Sequence, residues 1–261
     1  MKKIINILLS FFMTVVIFAC ALSVTGCLAT SSPFIKAVVS ISDYKQNIEP
    51  EISDSLKSVA IPSGLPEDFF NNKIKSEYID RIINESIEAA INKQDYTMPL
   101  DELEQLIYDD IVAYANEHGT ELDEDATQML KNTAELAATY YKNYTYNIYY
   151  RALKHIGGIY KKLALASAVL IVVLVVMIYL LNKKQELCYS LCGGGVMLLL
   201  PLIFIFNGSA YKWGIVSKGL LTFVNSYITT VLVLIILFGV ISLTVGILKA
   251  IKIEKNKKER V

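Results

Sequence analysis

Residues Leu163–Leu181 read LALASAVLIVVLVVMIYLL, a run of 19 residues without a charge. The pair Lys161-Lys162 precedes this run and the pair Lys183-Lys184 follows it. At about 1.5 Å of rise per residue, a helix of this length just covers the roughly 30 Å hydrocarbon core of a bilayer. The run therefore predicts a transmembrane helix. It divides the chain into a mostly polar part before it and a mostly apolar part after it.

The composition of the whole chain also indicates a membrane protein. Hydrophobic residues make up 54% of the 261 residues, and the mean hydropathy is +0.43, which is high for a soluble domain. Residues 28–162 contain 22 Asp and Glu against 13 Lys and Arg, whereas the tail 249–261 is rich in lysine. Such segregation of charge is typical of segments in different compartments and argues against a nucleic-acid surface.

The N-terminal segment is a further long apolar stretch. After Lys2 and Lys3, residues 4–24 carry no charge, and this run is longer than the roughly 7–15 residues of a signal-peptide core. Val24-Thr25-Gly26-Cys27 resembles the bacterial lipobox, in which the cysteine is lipidated and becomes the new N-terminus. A retained anchor over residues 1–27 is favoured, while lipidation at Cys27 and ordinary cleavage near Ala29 stay open. All three outcomes leave the following domain outside the cytoplasm.

Residues 28–162 have a helical pattern and no strand-like alternation. Ile61-Pro62-Ser63-Gly64 predicts a turn, and Leu65-Pro66-Glu67-Asp68 predicts the start of the next helix. Gly119 is expected to end a helix, and Thr120-Glu121-Leu122-Asp123 has the pattern of a capping box for the one after it. Pro50 is expected to interrupt a helix. The pattern predicts an acidic, all-helical extracytoplasmic domain.

Residues 163–248 predict a transmembrane region of three helices. Its second segment, Leu187–Phe206, contains Gly193-Gly194-Gly195 and Pro201, so we expect it to bend or to pack closely on a neighbour. Its third segment, Gly219–Leu248, is longer than a perpendicular span requires and is expected to tilt. The predicted fold class is an all-α membrane protein with a helical extracytoplasmic domain and a helical transmembrane bundle.

The lysines at the two ends predict the orientation. Lys2, Lys3 and the basic tail 249–261 belong in the cytoplasm by the positive-inside rule. This requires an even number of spans, which is four if the N-terminal segment is retained. We therefore predict a multi-pass protein of the bacterial cytoplasmic membrane, with both termini cytoplasmic and the domain 28–162 outside.

Residues before the predicted span Leu163–Leu181 are candidates for function. Tyr140, Tyr141 and Tyr144 belong to a dense tyrosine cluster that forms a candidate partner face, with packing in the domain core as the favoured alternative. Gly157 and Gly158 form a candidate hinge, because each glycine costs a helix about 1 kcal/mol relative to alanine. The basic residues expected to contact anionic lipid headgroups are Arg151, Lys154, Lys161 and Lys162.

No set of residues commits the chain to a reaction. His118 and His155 are far apart and lack a Cys or His at ligand spacing, so we predict no metal and no cofactor. We find no catalytic Ser-His arrangement and no Gly-rich phosphate loop after a strand. The predicted spans also lack the Asp, Glu, Lys, Arg and His residues that mark proton and ion pathways. We therefore expect a protein that is not an enzyme.

Three short motifs lie in the first part of the domain: Ser32-Pro33-Phe34, Asp43-Tyr44 and Ser63-Gly64-Leu65-Pro66. With the order of the segments, they resemble a loose group of uncharacterised Gram-positive membrane proteins. The resemblance implies an N-terminal span, a helical extracytoplasmic domain and three closely spaced C-terminal spans. It implies a topology and no activity.

The function class that fits these features is binding at the cell envelope. The extracytoplasmic helical domain is expected to bind an envelope protein as a scaffold, sensor or accessory subunit. Membrane lipids are the other expected partners, and nucleic acid is not expected. The alternative is a small transporter or channel subunit.

Overall fold

The computed structural model describes residues 2–71, 73–92, 94, 96–145, 148–181, 183–206 and 217–258. These residues are mostly helical and contain no strand, which confirms the predicted all-α class. In chain order the helices are α1 (Lys2–Ala29), α2 (Ser32–Ile41), α3 (Tyr44–Ala60), α4 (Ser76–Ile91), α5 (Leu100–Glu117), α6 (Glu124–Thr145), α7 (Ile148–Leu180), α8 (Lys184–Leu199), α9 (Leu202–Phe206) and α10 (Lys218–Lys258). A short 3-10 turn covers Ile61–Ser63.

The chain forms two compact units. The first, which we call the domain unit, contains Val39–Lys154 and the beginning of α10 as far as Phe223. The second, the bundle unit, contains the other described residues, among them α1, α8 and most of α7 and α10. The domain unit therefore lies within the predicted range 28–162, except that it also includes the first turns of α10. The sequence pattern assigned those turns to the membrane.

Three helices are long and apolar enough to cross a membrane by length and composition. They are Ile4–Ala29 in α1, Ile156–Leu180 in α7 and Lys218–Asn256 in α10. Many of their large apolar side chains are exposed, as expected for helices that face lipid. These features support a membrane protein.

The predicted span Leu187–Phe206 is divided into two helices. α8 has 16 residues and α9 has five, and Pro201 lies between them. Proline has no N–H to donate to the preceding turn, which accounts for the break. At about 1.5 Å per residue, α8 extends about 24 Å, which is shorter than the roughly 30 Å hydrocarbon core. The count of four spans stays a prediction.

Local sequence accounts for two helix ends in the domain unit. Gly119 has a φ of +67°, and its N–H donates to the carbonyl of Asn116 at 3.1 Å, as in a glycine C-terminal cap. This confirms the predicted end of α5. Asp123 Oδ1 accepts a hydrogen bond from the Ala126 N–H at 2.7 Å. Asp123 therefore caps α6, so the cap lies three residues later than Thr120, where the capping box was predicted to begin.

Two predicted boundaries are wrong. Pro50 lies inside α3, which continues from Tyr44 to Ala60. A proline inside a helix costs about 3 kcal/mol, but α3 has an apolar face that is fully buried and holds the helix in place. The residues of that face include Ile48, Ile52 and Leu56. Pro66-Glu67-Asp68 forms part of a turn rather than a helix start, and α4 begins only at Ser76.

Small residues let α8 approach α1 closely in the bundle unit. A Cβ atom at Gly194 would lie 2.9 Å from Cγ2 of Ile17. One to two turns toward the start of α8, the hydroxyl oxygens of Ser190 and Ser10 are 3.2 Å apart. Hydrogen bonds between helices are expected where small residues let the backbones meet. α1 is therefore an integral element of the bundle unit.

An adjacent side of α8 packs against α10. A Cβ atom at Gly195 would lie 2.9 Å from the carbonyl oxygen of Gly239. Ser242 Oγ donates a hydrogen bond to the carbonyl of Leu191 at 2.8 Å. The glycines of α8 thus serve helix packing, which is one of the two roles that the sequence predicts for this segment.

Candidate functional site

The first turn of α10 is held by a side chain of α3 in the domain unit. Glu51 Oε1 accepts hydrogen bonds from the N–H groups of Lys218, at 2.5 Å, and Gly219, at 3.4 Å. Glu51 Oε2 accepts one from Ser217 Oγ at 2.7 Å. The first N–H groups of a helix lack partners within the helix and carry a partial positive charge, so a carboxylate there stabilises the helix start. We call these four residues the Glu51 clamp.

Glycine at position 219 lets the first turn of α10 approach α3 closely. A Cβ atom at Gly219 would lie 3.2 Å from Cβ of Ile48 and 3.2 Å from the carbonyl oxygen of Tyr44. Both of these groups belong to the fully packed face of α3. The sequence pattern placed Gly219 at the start of a membrane span and gave no sign of this contact.

Tyr44 connects three helices of the domain unit. Its side chain is only 2% exposed. Its ring lies edge-on to the ring of Phe223 in α10, with centroids 5.9 Å apart. Its hydroxyl donates to the carbonyl of Tyr144 in α6 at 3.1 Å. Tyr44 therefore packs α3 against both α6 and the beginning of α10.

The tyrosine cluster of α6 faces α3. Tyr141 is 1% exposed, its hydroxyl accepts a hydrogen bond from the Lys75 N–H at 3.2 Å, and burial raises its pKa to about 12. Tyr140 and Tyr144 are half-buried. Their hydroxyls lie 3.4 Å and 2.9 Å from the hydroxyls of Ser58 and Ser55, respectively. Tyr141 lies in the core of the domain unit. The prediction that it belongs to an exposed partner face is therefore wrong for this residue.

The candidate hinge lies within a continuous helix. α7 runs through Gly157 and Gly158 without a break. A Cβ atom at Gly157 would lie 3.1 Å from Oγ1 of Thr30, so close packing in the bundle unit explains this glycine. The hinge stays a prediction.

The other candidates from the sequence lie at helix surfaces or outside the described side chains. Lys161 and Lys162 are exposed on α7. The side chains of Arg151 and Lys154 lie outside the described residues. Cys27 is half-buried in the last turns of α1 and forms no disulfide. Headgroup contact and lipidation stay predictions.

An open groove of about 620 Å³ lies beside the start of α4 and faces α5 in the domain unit. We call it the α4–α5 groove. No sequence pattern indicates this groove, because its residues come from α4, α5 and the residues just before α4. The residues that line it are Ile74, Lys75, Ser76, Glu77, Tyr78, Arg81, Glu102 and Leu106.

Two charged side chains of the α4–α5 groove, Arg81 and Glu102, are paired with each other but remain accessible. Arg81 Nη2 donates to Glu102 Oε2 at 2.6 Å, and this bond lowers the pKa of Glu102. The side chains of the pair are 40% and 52% exposed. The Arg81 guanidinium also lies over the ring of Tyr78, at 4.7 Å from its centroid. Exposed ion pairs contribute little to stability, so a partner can replace this pair at little cost.

A second acidic face, on α5, yields a pH-dependent prediction. Partial burial raises the pKa of Glu104, and the nearby carboxylates of Asp101 and Glu135 raise it further. The folded-state pKa is thus higher than the unfolded one, so ionised Glu104 opposes folding at neutral pH, and this cost disappears below the unfolded pKa of about 4.3. Glu104→Gln should raise stability at pH 7 by less than about 1 kcal/mol.

Thermal unfolding of both proteins between about pH 3.5 and pH 8 would measure this difference. The gain in Tm should shrink as the pH falls toward the unfolded pKa. Glu117→Gln, at an exposed position of the same helix, is the matched control and should show little change. A gain that is the same at every pH would contradict the prediction.

Neither metal ligands nor known relatives identify the protein's chemistry. Across the described part of the chain, no group of three or more His, Cys, Asp or Glu side chains could hold a metal ion. The resemblance to Gram-positive membrane proteins stays a prediction. No protein-family model, curated protein or solved structure matched the chain when each was compared with it.

Proposed function

We propose that the protein is a non-enzymatic membrane protein of the bacterial cell envelope whose helical domain lies outside the cytoplasm and binds a protein partner. It acts as a scaffold, sensor or accessory subunit. The observation that carries this proposal is the Glu51 clamp. In this protein α3 of the domain unit caps α10, a helix of 41 residues that continues into a candidate span. Anchoring the domain to the membrane would not require this contact.

The contacts of the domain unit supply a route from its surface to α10. α4, which lines the α4–α5 groove, is joined to α3 by Lys45 Nζ and Asp80 Oδ2 at 2.5 Å and by Ser76 Oγ and Glu49 Oε1 at 2.7 Å. Glu51 lies two residues beyond Glu49 on α3. A partner that favours one position of α4 therefore also favours one position of α3 and of the first turn of α10.

The chemistry of the α4–α5 groove suits a polar segment of another protein. It offers the exposed Arg81–Glu102 pair and the carboxylate of Glu77 next to apolar Leu106, whereas the Lys75 ammonium is paired with Asp110. The topology that we propose places this groove outside the cytoplasm, with both termini inside and α1 retained. Retention of α1 is supported by its packing on α8, because cleavage at Cys27 would remove the buried side chain of Met13 from the bundle unit.

A photo-crosslinking residue at position 106 would test the proposal in intact cells. Leu106 lines the α4–α5 groove and is 40% exposed. Leu136, which is 49% exposed on α6 and does not line the groove, is the matched control. We expect a discrete protein adduct from position 106 and none from position 136. Arg81→Glu should reduce the adduct by about fivefold, since a partner pair is worth about 1 kcal/mol.

Equal adducts from both positions would mean nonspecific contact and would contradict partner binding at the groove. The alternative, a transporter or channel subunit, has its own test. If the membrane spans without the domain restore the phenotype of a deletion strain, the function lies in the spans and the alternative leads.

A further inference from the structure

An apolar slot of about 460 Å³ opens within the bundle unit. Each of α1, α7, α8 and α10 contributes to its wall, through residues such as Ile17, Val175, Leu191 and Ile241. Ser242 is one of its few polar residues, and its hydroxyl already donates to the carbonyl of Leu191. The slot therefore presents hydrocarbon along most of its length, and its volume lies in the range of about 300–1,000 Å³ that is typical of ligand sites.

Positive charge is concentrated at one end of the slot. Lys249 of α10 lines it, and so does Tyr179 of α7. Lys184, at the start of α8, is not part of the slot wall, but its Nζ lies 5.5 Å from the centroid of the Tyr179 ring, which is. Gly239 of α10 lies against Gly195 and Gly246 lies against Cys192, so the two helices are antiparallel. Lys249, one turn beyond Gly246, therefore lies toward the start of α8. Lys249 and Lys184 are thus at the same end.

We propose that this slot binds an anionic phospholipid. An acyl chain occupies the apolar walls, and the phosphate lies between the ammonium groups of Lys249 and Lys184. An anionic phospholipid has a long hydrocarbon chain and a negative charge at one end. These parts match the apolar walls of the slot and the two lysines at its end. It fits a zwitterionic lipid less well, because the positive group of that headgroup is repelled at the lysines.

The site differs from the headgroup contacts predicted for Arg151, Lys154, Lys161 and Lys162. Those residues lie before or within the first two turns of the α7 span, whereas Tyr179 and Lys184 lie at its other end. The walls of the slot include α1, so the proposal requires that α1 is retained. It does not depend on a protein partner of the domain unit.

Native mass spectrometry of the full-length protein tests the proposal, with phosphatidylglycerol and phosphatidylcholine of identical chains as probes. We expect phosphatidylglycerol to be retained at least about fivefold more strongly, since each lysine near a charged headgroup is worth about that factor. Lys249→Gln combined with Lys184→Gln should bring its retention down to that of phosphatidylcholine. Lys252→Gln, an exposed lysine of α10 that does not line the slot, is the matched control and should change little.

A slot-filling variant, Val175→Phe, should reduce retention of both lipids while the protein keeps the wild-type Tm. If it lowers the Tm, Ile241→Phe on α10 serves the same purpose. Equal retention of the two lipids by the wild-type protein would overturn the proposal. The proposal would also be overturned if Lys252→Gln reduced phosphatidylglycerol retention as much as the Lys249→Gln and Lys184→Gln combination does. The lipid would then be attracted by surface charge in general. A lipid-free dimer would show that a second copy closes the slot instead.

Discussion

Replacing Tyr44 by alanine is expected to lower the free energy of unfolding of the domain unit by about 3–5 kcal/mol, as for other large aromatic residues removed from a core. The side chain is 2% exposed and lies between α3, α6 and the beginning of α10. Its removal leaves a cavity beside Phe223 and leaves the Tyr144 carbonyl without its hydroxyl donor. Because these groups come from three helices, a local shift of one helix cannot close the space.

The phenylalanine variant separates packing from hydrogen bonding. Tyr44→Phe keeps the ring and removes the hydroxyl that donates to the Tyr144 carbonyl, which predicts a loss of about 1 kcal/mol. Ile41→Ala, at a nearby position that is 65% exposed, is the control and should stay within about 0.5 kcal/mol of the wild type. Hydrogen exchange of buried amides in α3 and α6 of the full-length protein measures these differences. If Tyr44→Ala and Ile41→Ala had equal effects, the proposed role of Tyr44 would be wrong.

Replacing Gly195 by alanine is expected to destabilise the bundle unit by about 1–3 kcal/mol, the usual cost of overpacking. The new Cβ atom would lie 2.9 Å from both the carbonyl oxygen of Gly239 and the backbone nitrogen of Leu243. These are backbone atoms of α10, so no change of rotamer relieves the contact and the two helices must separate. Alanine also favours the helix by about 1 kcal/mol over glycine, and this gain offsets only part of the cost.

The matched control for Gly195 is the next residue of the same helix. Val196→Leu also adds one carbon atom, but Val196 is 56% exposed and has room for it. Thermal unfolding of both variants in detergent should show a lower Tm for Gly195→Ala and an almost unchanged Tm for Val196→Leu. A Tm for Gly195→Ala at or above that of the wild type would show that α8 and α10 do not pack as described.

The sequence predicted those parts of the fold that depend on interactions between residues close together in the chain. The uncharged run Leu163–Leu181 lies almost entirely in a candidate span, because length and hydropathy decide whether a helix can cross a bilayer. Gly119 ends α5 as expected, because a positive φ favours glycine there. Pro50 misled the prediction, because its local cost is outweighed by burial of the opposite face of α3, and that burial depends on other helices.

The Glu51 clamp could not be predicted in the same way. Glu51 and Ser217 are 166 positions apart in the sequence, and neither belongs to a recognisable motif. Hydropathy assigned Gly219 to a span, because an apolar run gives no sign that its first turn packs on a domain helix. The high density of tyrosines in α6 correctly indicated that this segment makes specific contacts. No local pattern indicates that Tyr141 is the buried one, because its burial depends on packing against residues that are distant in the sequence.

Hydrogen–deuterium exchange at the first turn of α10 tests most directly the claim that the domain unit holds this helix. In the wild-type protein, the Lys218 and Gly219 amides donate to Glu51 and should be protected. Asp54→Asn, one turn further along α3 and 73% exposed, is the matched control. We predict that Glu51→Ala accelerates exchange at these two amides by about 2- to 30-fold, because a helix cap is worth about 0.5–2 kcal/mol, whereas Asp54→Asn leaves it unchanged. Equal exchange in the wild type and Glu51→Ala would contradict the account.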